Sequence, residues 1–400
     1  MLVFILNAGS SSLKYQLMNP VSKEVLATGL CERIGIDGVL KHEFNENKLT
    51  LEVSMPTHKE AIELVLKTLV EGEGKVINSI DDIDAIGHRA VHGGEEFASS
   101  VMVTDKVIAK MKELIPLAPL HNPANIMGME ICAELMPGKP NVAVFDTAFH
   151  QTMPDYAYMY ALPYDQYTKH GIRKYGFHGT SHYFVSNEAK GMLDKKHNTR
   201  IIVCHLGNGS SVSAVLNGKC IDTSMGLTPV QGLMMGTRAG DVGAGAISYM
   251  MTKENLTIDQ ALDVMNKKSG ILGISGKSSD LREVLQGMQD GDDSCRLAVD
   301  MVAYNIKKYV GAYVAALDGV DALCFTGGIG ENAALIREKV CAGLDSMGLV
   351  IDPVKNNKRS SKPRDIATNA SASRIFVIPT NEEFVIANDT YRIVSELNNK

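Results

Sequence analysis

The chain has 400 residues, 45% of them hydrophobic and 22% charged, with 40 basic against 46 acidic side chains and a net charge of −6. That length calls for two or three domains. The composition excludes a disordered, fibrous or coiled-coil chain, and the acidic balance speaks against nucleic-acid and membrane-surface partners.

The opening Met1–Leu6 reads as a buried strand rather than a signal segment, and no apolar run approaches the ~18 residues of a membrane span. That strand breaks at Asn7-Ala8-Gly9-Ser10-Ser11-Ser12 and resumes at Leu13–Met18. Leu49–Met55 alternates like a half-buried strand. Thr57-His58-Lys59-Glu60 has the form of a capping box, and Ala61, Ile62, Val65, Leu66 and Leu69 follow at helical spacing. Ala85–Val91 puts Arg89 inside an apolar strand, with Gly87, Gly93 and Gly94 close by. Ala118–Pro123 is a rigid loop leading into a helix with proline in its first turn. Val142–Phe145 is a buried strand ending at Asp146, and strand ends are where α/β ligand sites gather.

Tyr175–His182 sets two histidines beside a helix start. Ile201–Cys204 is a strand running into His205–Ser211, and Met235–Asp241 embeds Arg238 between glycines. Thr257–Lys268 and Asp292–Leu317 read as helices, the second being the longest. Ala322–Phe325 is a strand running into the turn Thr326–Asn332. Lys355–Lys362 reads as a solvated basic loop, Arg374–Ile378 as the last strand and Glu382–Leu397 as a closing helix. The seven cysteines form no C-x-x-C and lie mostly in apolar runs, which predicts reduced, buried thiols in a cytoplasmic protein.

The 36 glycines concentrate in strand-end turns, where backbone amides can approach a phosphate. Three such turns stand out: Asn7–Ser12, Leu206–Ser211 and Gly327–Asn332. None is a P-loop or a G-x-G-x-x-G, so the signal is for a nucleotide but against a dinucleotide fold. Gly9-Ser10-Ser11 recurs as Gly209-Ser210-Ser211, each copy between an apolar and an alternating strand. The echo points to duplication of one α/β domain, with a boundary near residue 150. No zinc-ligand spacing and no G-x-S-x-G elbow occurs. Phosphate turns with isolated arginines and acids point to phosphoryl transfer.

The motifs Asn7–Lys14, Gly87–Gly94, Phe145–His150, Gly176–His182, His205–Gly209, Gly236–Asp241, Gly327–Asn332 and Pro379–Glu383 together resemble the acetate kinase family. That family sits in the superfamily of acetate and sugar kinases, heat-shock chaperones and actin. The resemblance runs essentially end to end. It implies two duplicated ribonuclease H-like (actin-like ATPase) α/β domains with an active-site cleft between them. These are residues 1–149, with the closing helix 385–400 packed on them, and 150–384. It further implies a homodimer that converts ATP and acetate to ADP and acetyl phosphate with Mg²⁺, for which Mn²⁺ can substitute.

Residue by residue, the resemblance places Ser10, Ser12 and Lys14 near the phosphates, and Asn7 and Glu382 near the metal, with Asp146 organising its shell. Arg89 and Arg238 would hold the carboxylate and the phosphoryl group in flight, with His121 and His178 in contact with that group. His205, Leu206, Gly207, Asn208, Gly209, Gly328, Ile329, Gly330, Glu331 and Asn332 would line the nucleotide, with Asp280, Leu281 and Arg282 at its adenosine end. Val91, Leu120, Phe177 and Pro229 would form the methyl pocket.

Acetate has a carboxylate pKa near ~4 and is already an anion at neutral pH, so no general base is required. The obstacle is charge: two unit negative charges ~4 Å apart repel by ~4 kcal/mol at an effective dielectric of 20. Arginine's fork suits both carboxylate and phosphate. Direct in-line transfer is expected, with a phosphorylated carboxylate as the alternative and a base role for Asp146 the lesser option. Val91 restricts pocket depth and favours acetate over propionate, yet one methylene is worth only ~1–3 kcal/mol. A propionate or other short-chain acyl kinase therefore stays open. So do a nucleotide-driven switch and a non-catalytic nucleotide-binding protein, against which the pair of arginines with His178 argues.

Overall fold

The computed structural model describes residues 1–193, 195 and 197–398. The chain forms two compact units, Met1–Phe149 with Asn381–Lys400, and His150–Thr380.

In the first unit β1 (Val3–Ala8) pairs antiparallel with β2 (Leu13–Asn19), and the meander continues through β3 (Glu24–Glu32), β4 (Val39–Phe44) and β5 (Asn47–Glu52). On the other side of β1, β6 (Ala85–Ala90) runs parallel to it. β7 (Val101–Met102) is an antiparallel edge on β8 (Asn141–Phe145), which is parallel to β6. The second unit carries β9 (Arg200–Leu206), β10 (Ser210–Leu216), β11 (Lys219–Thr223), β12 (Ala322–Thr326), β13 (Arg364–Asp365) and β14 (Arg374–Val377). Its sheet order is β11-β10-β9-β12-β14-β13.

The two sheets share one plan. β3-β2-β1-β6-β8 and β11-β10-β9-β12-β14 are each an antiparallel meander of three strands followed by two strands parallel to the first. This is the ribonuclease H-like order, and the repeated Gly-Ser-Ser sits at the same hairpin in both copies. Parallel neighbours need a crossover that covers a face of the sheet, so the central strands are buried on both sides and read as unbroken apolar runs.

β1 shows this directly. Phe4 and Leu6 pack with Ala61, Ile62, Val65 and Leu69 of the helix His58–Val70, while Val3 and Ile5 pack with Ile386, Ala387 and Val394 of the closing helix Glu382–Asn398. Gly87 lets that closing helix lie against β6, since a Cβ there would stand 2.6 Å from Thr390 Oγ1 and 2.7 Å from Ile386 Cγ2. In the second unit the helix Asp293–Ala316 buries Ala298, Val302, Ile306 and Val310 in the core that contains Leu323 and Phe325 of β12.

Thr57 and Thr257 close capping boxes with Glu60 and Gln260, and Asp292 accepts from the amides of Ser294 and Cys295. All seven cysteines are free and buried, and burial pushes the Cys132 thiol up to about 12. Three elements differ from expectation. The run Lys355–Lys362, expected as a solvated loop, begins inside the short helix Pro353–Asn357, where Asn356 is buried. The strand expected at Leu49–Met55 is Asn47–Glu52, because its partner β4 begins at Val39, opposite Glu52, and offers no ladder beyond. The turn expected at Gly327–Asn332 is a short helix: Gly327, at φ +75°, turns the chain out of β12 and the residues after it coil.

Candidate functional site

Arg89 projects from β6 and holds Asp146, the residue just past β8, at both carboxylate oxygens: Nε to Oδ1 at 3.1 Å and Nη2 to Oδ2 at 2.6 Å. The Asp146 amide donates to the carbonyl of Ala90 at 2.9 Å, so the β6–β8 ladder itself sets the pair. Asp146 is 1% exposed. Burial pushes its carboxyl up, Arg89 opposes this, and the nearby Glu382 adds to it. The Arg89 guanidinium is held above its ordinary value, by Asp146 first and by Glu382 after desolvation is met.

Asn7 of β1 and Lys14 of β2 are cross-strand partners, and with Arg89, Glu382 and Glu383 they line one small cavity. Lys14 is ion-paired with Glu383. The group thus sets three carboxylates, Asp146 included, against two cations, an excess of negative charge. Its oxygen donors include the Asn7 amide and the Glu382 carboxylate, hard ligands that suit Mg²⁺: that ion takes one or two carboxylates and keeps several waters. Among the described residues no cluster of three or more His, Cys, Asp or Glu side chains could hold a metal by itself. His121 precedes the helix Asn122–Leu135 and lies near enough to draw the Asp146 carboxyl downward. Val91 is buried, Leu120 exposed, Ser12 half-buried and Ser10 exposed on the first hairpin.

In the second unit Arg238 and His178 converge on the β9–β10 hairpin. A Cβ placed on Gly209 would stand 3.4 Å from both Arg238 Nη1 and His178 Nε2. Burial lowers the Arg238 guanidinium from its usual value. His178 adopts φ +57° at the start of the helix Gly179–Met192, a left-handed conformation that costs a non-glycine residue about 1 kcal/mol or more. Its Nδ1 lies 2.9 Å from Ser211 Oγ, and its ring stacks on His205 at 4.2 Å. His205 Nδ1 in turn meets Ser181 Oγ at 2.7 Å, which accepts from Thr380 Oγ1 at 2.8 Å.

Beside the hairpin lies a cavity of about 840 Å³, large enough for a nucleotide. Gly207, Asn208, Asp280, Leu281, Arg282, Gly328, Ile329 and Asn332 line it, as the resemblance implies. His205, Leu206, Gly209, Gly330 and Glu331 are not in its lining. The Glu331 carboxylate instead accepts from the amides of Gly327 at 3.0 Å and Thr380 at 3.4 Å. Asp280 caps the helix Leu281–Gln289 through the Arg282 amide and pairs with the Arg282 guanidinium at 2.5 Å, which holds its carboxyl down at about 2. Phe177 is buried and Pro229 half-buried in this unit, while Val91 and Leu120 belong to the other.

Sequence reasoning missed four lining residues, Ser279, Leu285, Ala333 and Arg359. Arg359 sits in the basic run read as solvated surface, and that run was its only signal. It also missed the buried amides that brace the first unit. Asn125 accepts from the Val91 amide at 3.0 Å and donates to the Ala8 carbonyl at 3.0 Å, tying the end of β6 to the first hairpin. Asn122 exchanges two bonds with the backbone of His92.

The acetokinase family model matches residues 2–388. A curated relative named acetate kinase, from Agathobacter rectalis, is 54% identical over 395 residues, covering 98% of this chain and 99% of its own. Among solved structures, acetate kinase from Porphyromonas gingivalis superposes with a TM-score of 0.95 at 50% identity, over 98% of this chain and 99% of its own. A propionate kinase from Francisella tularensis subsp. tularensis does so with a TM-score of 0.92 at 43% identity, over 98% of this chain and 99% of its own. With the family model spanning nearly the whole chain and relatives above half identity at full length, the chain belongs to the acetokinase family.

Proposed function

We propose that the chain transfers the γ-phosphoryl group of ATP to the carboxylate of acetate, reversibly, giving ADP and acetyl phosphate. The observation that carries this is the aim of Arg238 Nη1 and His178 Nε2 at one point above Gly209, on a hairpin whose Gly207 and Asn208 line a nucleotide-sized cavity. A nucleotide switch that hydrolyses ATP has no need of an acceptor-binding arginine, and Arg89 supplies one.

In the transfer an acetate oxygen attacks the γ-phosphorus while the bond to the ADP oxygen breaks on the opposite side. Total charge is equal on both sides and no proton crosses, so the residues need only bind, orient and neutralise. Arg89, fixed by Asp146, holds the acceptor carboxylate. Arg238 and His178 serve the equatorial phosphoryl oxygens as charge spreads onto them, His121 assists at the same group, and Lys14, Ser10 and Ser12 contact phosphate. Asn7 and Glu382 would hold Mg²⁺, which when bound offsets phosphate charge. Val91, Leu120, Phe177 and Pro229 bound the methyl group. The domains are 1–149 with the closing helix 385–400 packed on them, and 150–384, and the protein works in the cytoplasm as a homodimer. Exposed apolar side chains such as Tyr249, Ile258 and Tyr304 support the dimer.

ADP formation followed with and without acetate tests the reading: acetate-dependent turnover is expected, and acetate-independent hydrolysis would overturn it. The second reading, a propionate kinase, rests on the Francisella neighbour. Specificity constants for the two acids decide between them, with acetate expected to win by roughly 10-fold or more.

A further inference from the structure

Behind His178 lies a buried row of side chains that the reaction as described does not use. Ser211 Oγ stands 2.9 Å from His178 Nδ1 and 2.7 Å from His182 Nε2, and Ser213 Oγ stands 2.8 Å from His182 Nδ1. Ser211, Ser213 and His182 are each fully buried, at 0% exposure. Their order is set by the fold. Ser211 and Ser213 are two residues apart on β10 and share a face, while His178 and His182 are four apart and stack one turn above the other at the start of their helix.

Counting hydrogens fixes the direction of this row. Burial, with His150 and His205 nearby, holds His182 well below the ordinary histidine value, so it is neutral and carries one N–H. Ser213 Oγ has a single partner among the described residues, His182 Nδ1. Were Nδ1 the protonated nitrogen, the Ser213 hydroxyl would accept from it, and its own hydrogen would be left buried without an acceptor, a loss of ~1–3 kcal/mol. The other arrangement satisfies every group. Ser213 donates to His182 Nδ1, His182 Nε2–H donates to Ser211 Oγ, and Ser211 donates to His178 Nδ1.

We propose that Ser213, through His182 and Ser211, locks His178 in the tautomer that keeps Nδ1 bare and turns Nε2–H toward the point above Gly209. His178 then offers an uncharged hydrogen-bond donor there, set before substrate arrives. Its stacked neighbour is arranged the same way, with Thr380 donating to Ser181 and Ser181 placed to donate to His205 Nδ1. Ser213 and His182 are positioning residues. They touch neither nucleotide nor acceptor and act only on which nitrogen of His178 bears hydrogen. The proposal rests on the reading that His178 serves the phosphoryl group.

The test is Ser213→Ala, which removes the donor and leaves a volume change of one oxygen, with Ser213→Thr as the variant that restores the hydroxyl. In protein labelled with ¹⁵N-histidine, and with His178 assigned by its loss in His178→Ala, the wild type and Ser213→Thr should show His178 protonated at Nε2 and bare at Nδ1. Ser213→Ala should show exchange between the two tautomers. Turnover in Ser213→Ala should fall by roughly 3- to 30-fold, less than the ~10²–10³-fold lost when a transition-state donor is deleted. KM for ATP and for acetate should stay within about twofold, because ground-state contacts are untouched. An unchanged His178 spectrum in Ser213→Ala overturns the proposal, as does a wild-type His178 protonated at Nδ1. If Ser213→Ala misfolds, the wild-type spectrum alone decides. Near-normal turnover in His178→Ala would overturn the role of His178 in transfer while leaving the tautomer measurement standing, so the two failures are separable.

Discussion

Arg89 and Asp146 meet fork to fork, with both guanidinium contacts on one face and both carboxylate oxygens engaged. Asp146 therefore fixes the angle at which Arg89 presents its remaining N–H groups, and it does so from complete burial. In Asp146→Asn one oxygen becomes an NH₂ that faces another donor, and Arg89 loses its counter-charge. Turnover should fall by ~10²–10³-fold. Raised Mg²⁺, or Mn²⁺ in its place, should recover part of the loss if Asp146 organises the metal. A deficit indifferent to metal would leave Asp146 acting through Arg89 alone, and titrating activity against both ions distinguishes the two.

Gly209 offers a test of the point at which Arg238 and His178 converge. A methyl group fits there at van der Waals distance, 3.4 Å from each, so Gly209→Ala should fold and bind nucleotide. If the proposed transfer is right, it should nevertheless lose roughly 10²-fold or more in turnover, because the methyl fills the point on which Arg238 Nη1 and His178 Nε2 converge. Arg238→Ala, which empties that space instead, should cost ~10³–10⁵ in rate with ATP still bound. Fluorescent-nucleotide binding beside a turnover assay separates the effects; weakened binding in Gly209→Ala would count against the placement.

Glu331 joins two backbone amides, those of Gly327 and Thr380. Replacing it with alanine strands the Gly327 amide and should raise KM for ATP several-fold, while costing about 1–2 kcal/mol of stability in a urea melt. Glu331→Gln keeps an accepting oxygen and should stay close to wild type. Equal damage from both would place the charge, and not the acceptor, in the role.

Acid should unfold this protein through its buried imidazoles. Burial holds His88 and His150 down at about 4, each with one neutral hydrogen-bonded ring. The unfolded chain takes up these protons near pH 6.5, and the folded one does not until about pH 4. Their stabilisation is complete above pH 6.5 and drains away as pH falls between those values, by about 3 kcal/mol for each group. Melting temperatures at pH 7 and 4.5 should differ accordingly, and His88→Gln, which cannot titrate, should narrow the gap. An unchanged gap would mean His88 is protonated in the folded state.

The local part of the fold was legible because local chemistry made it. Thr57 with Glu60, and the apolar run Val3–Leu6, each carry their cause within a few residues. The hairpin glycines marked both copies of the repeat for the same reason. What stayed hidden depends on partners far along the chain. Asn125 braces Ala8 across 117 positions, and His182 reads as a helix residue until Ser211 and Ser213 lie beneath it. Arg337 is likewise silent in sequence. It is 1% exposed, with its guanidinium spent on the carbonyls of Gly330, Glu331 and Asn356 and on the Asn356 side chain. The end of β5 at Glu52 also depended on a partner strand, and no periodicity could set it.

The closing helix has a consequence for synthesis. Val3, Ile5, Val142 and Val144 bury one face of the first sheet only when Ile386, Ala387 and Val394 arrive. A nascent chain that has made its first 150 residues has one covered face and one bare apolar face, which must wait while the whole second unit is translated. During that interval the bare face is a site for chaperones or for aggregation. A stop codon that removes only the last helix would therefore disable the earliest-made part of the protein, not the part next to the truncation.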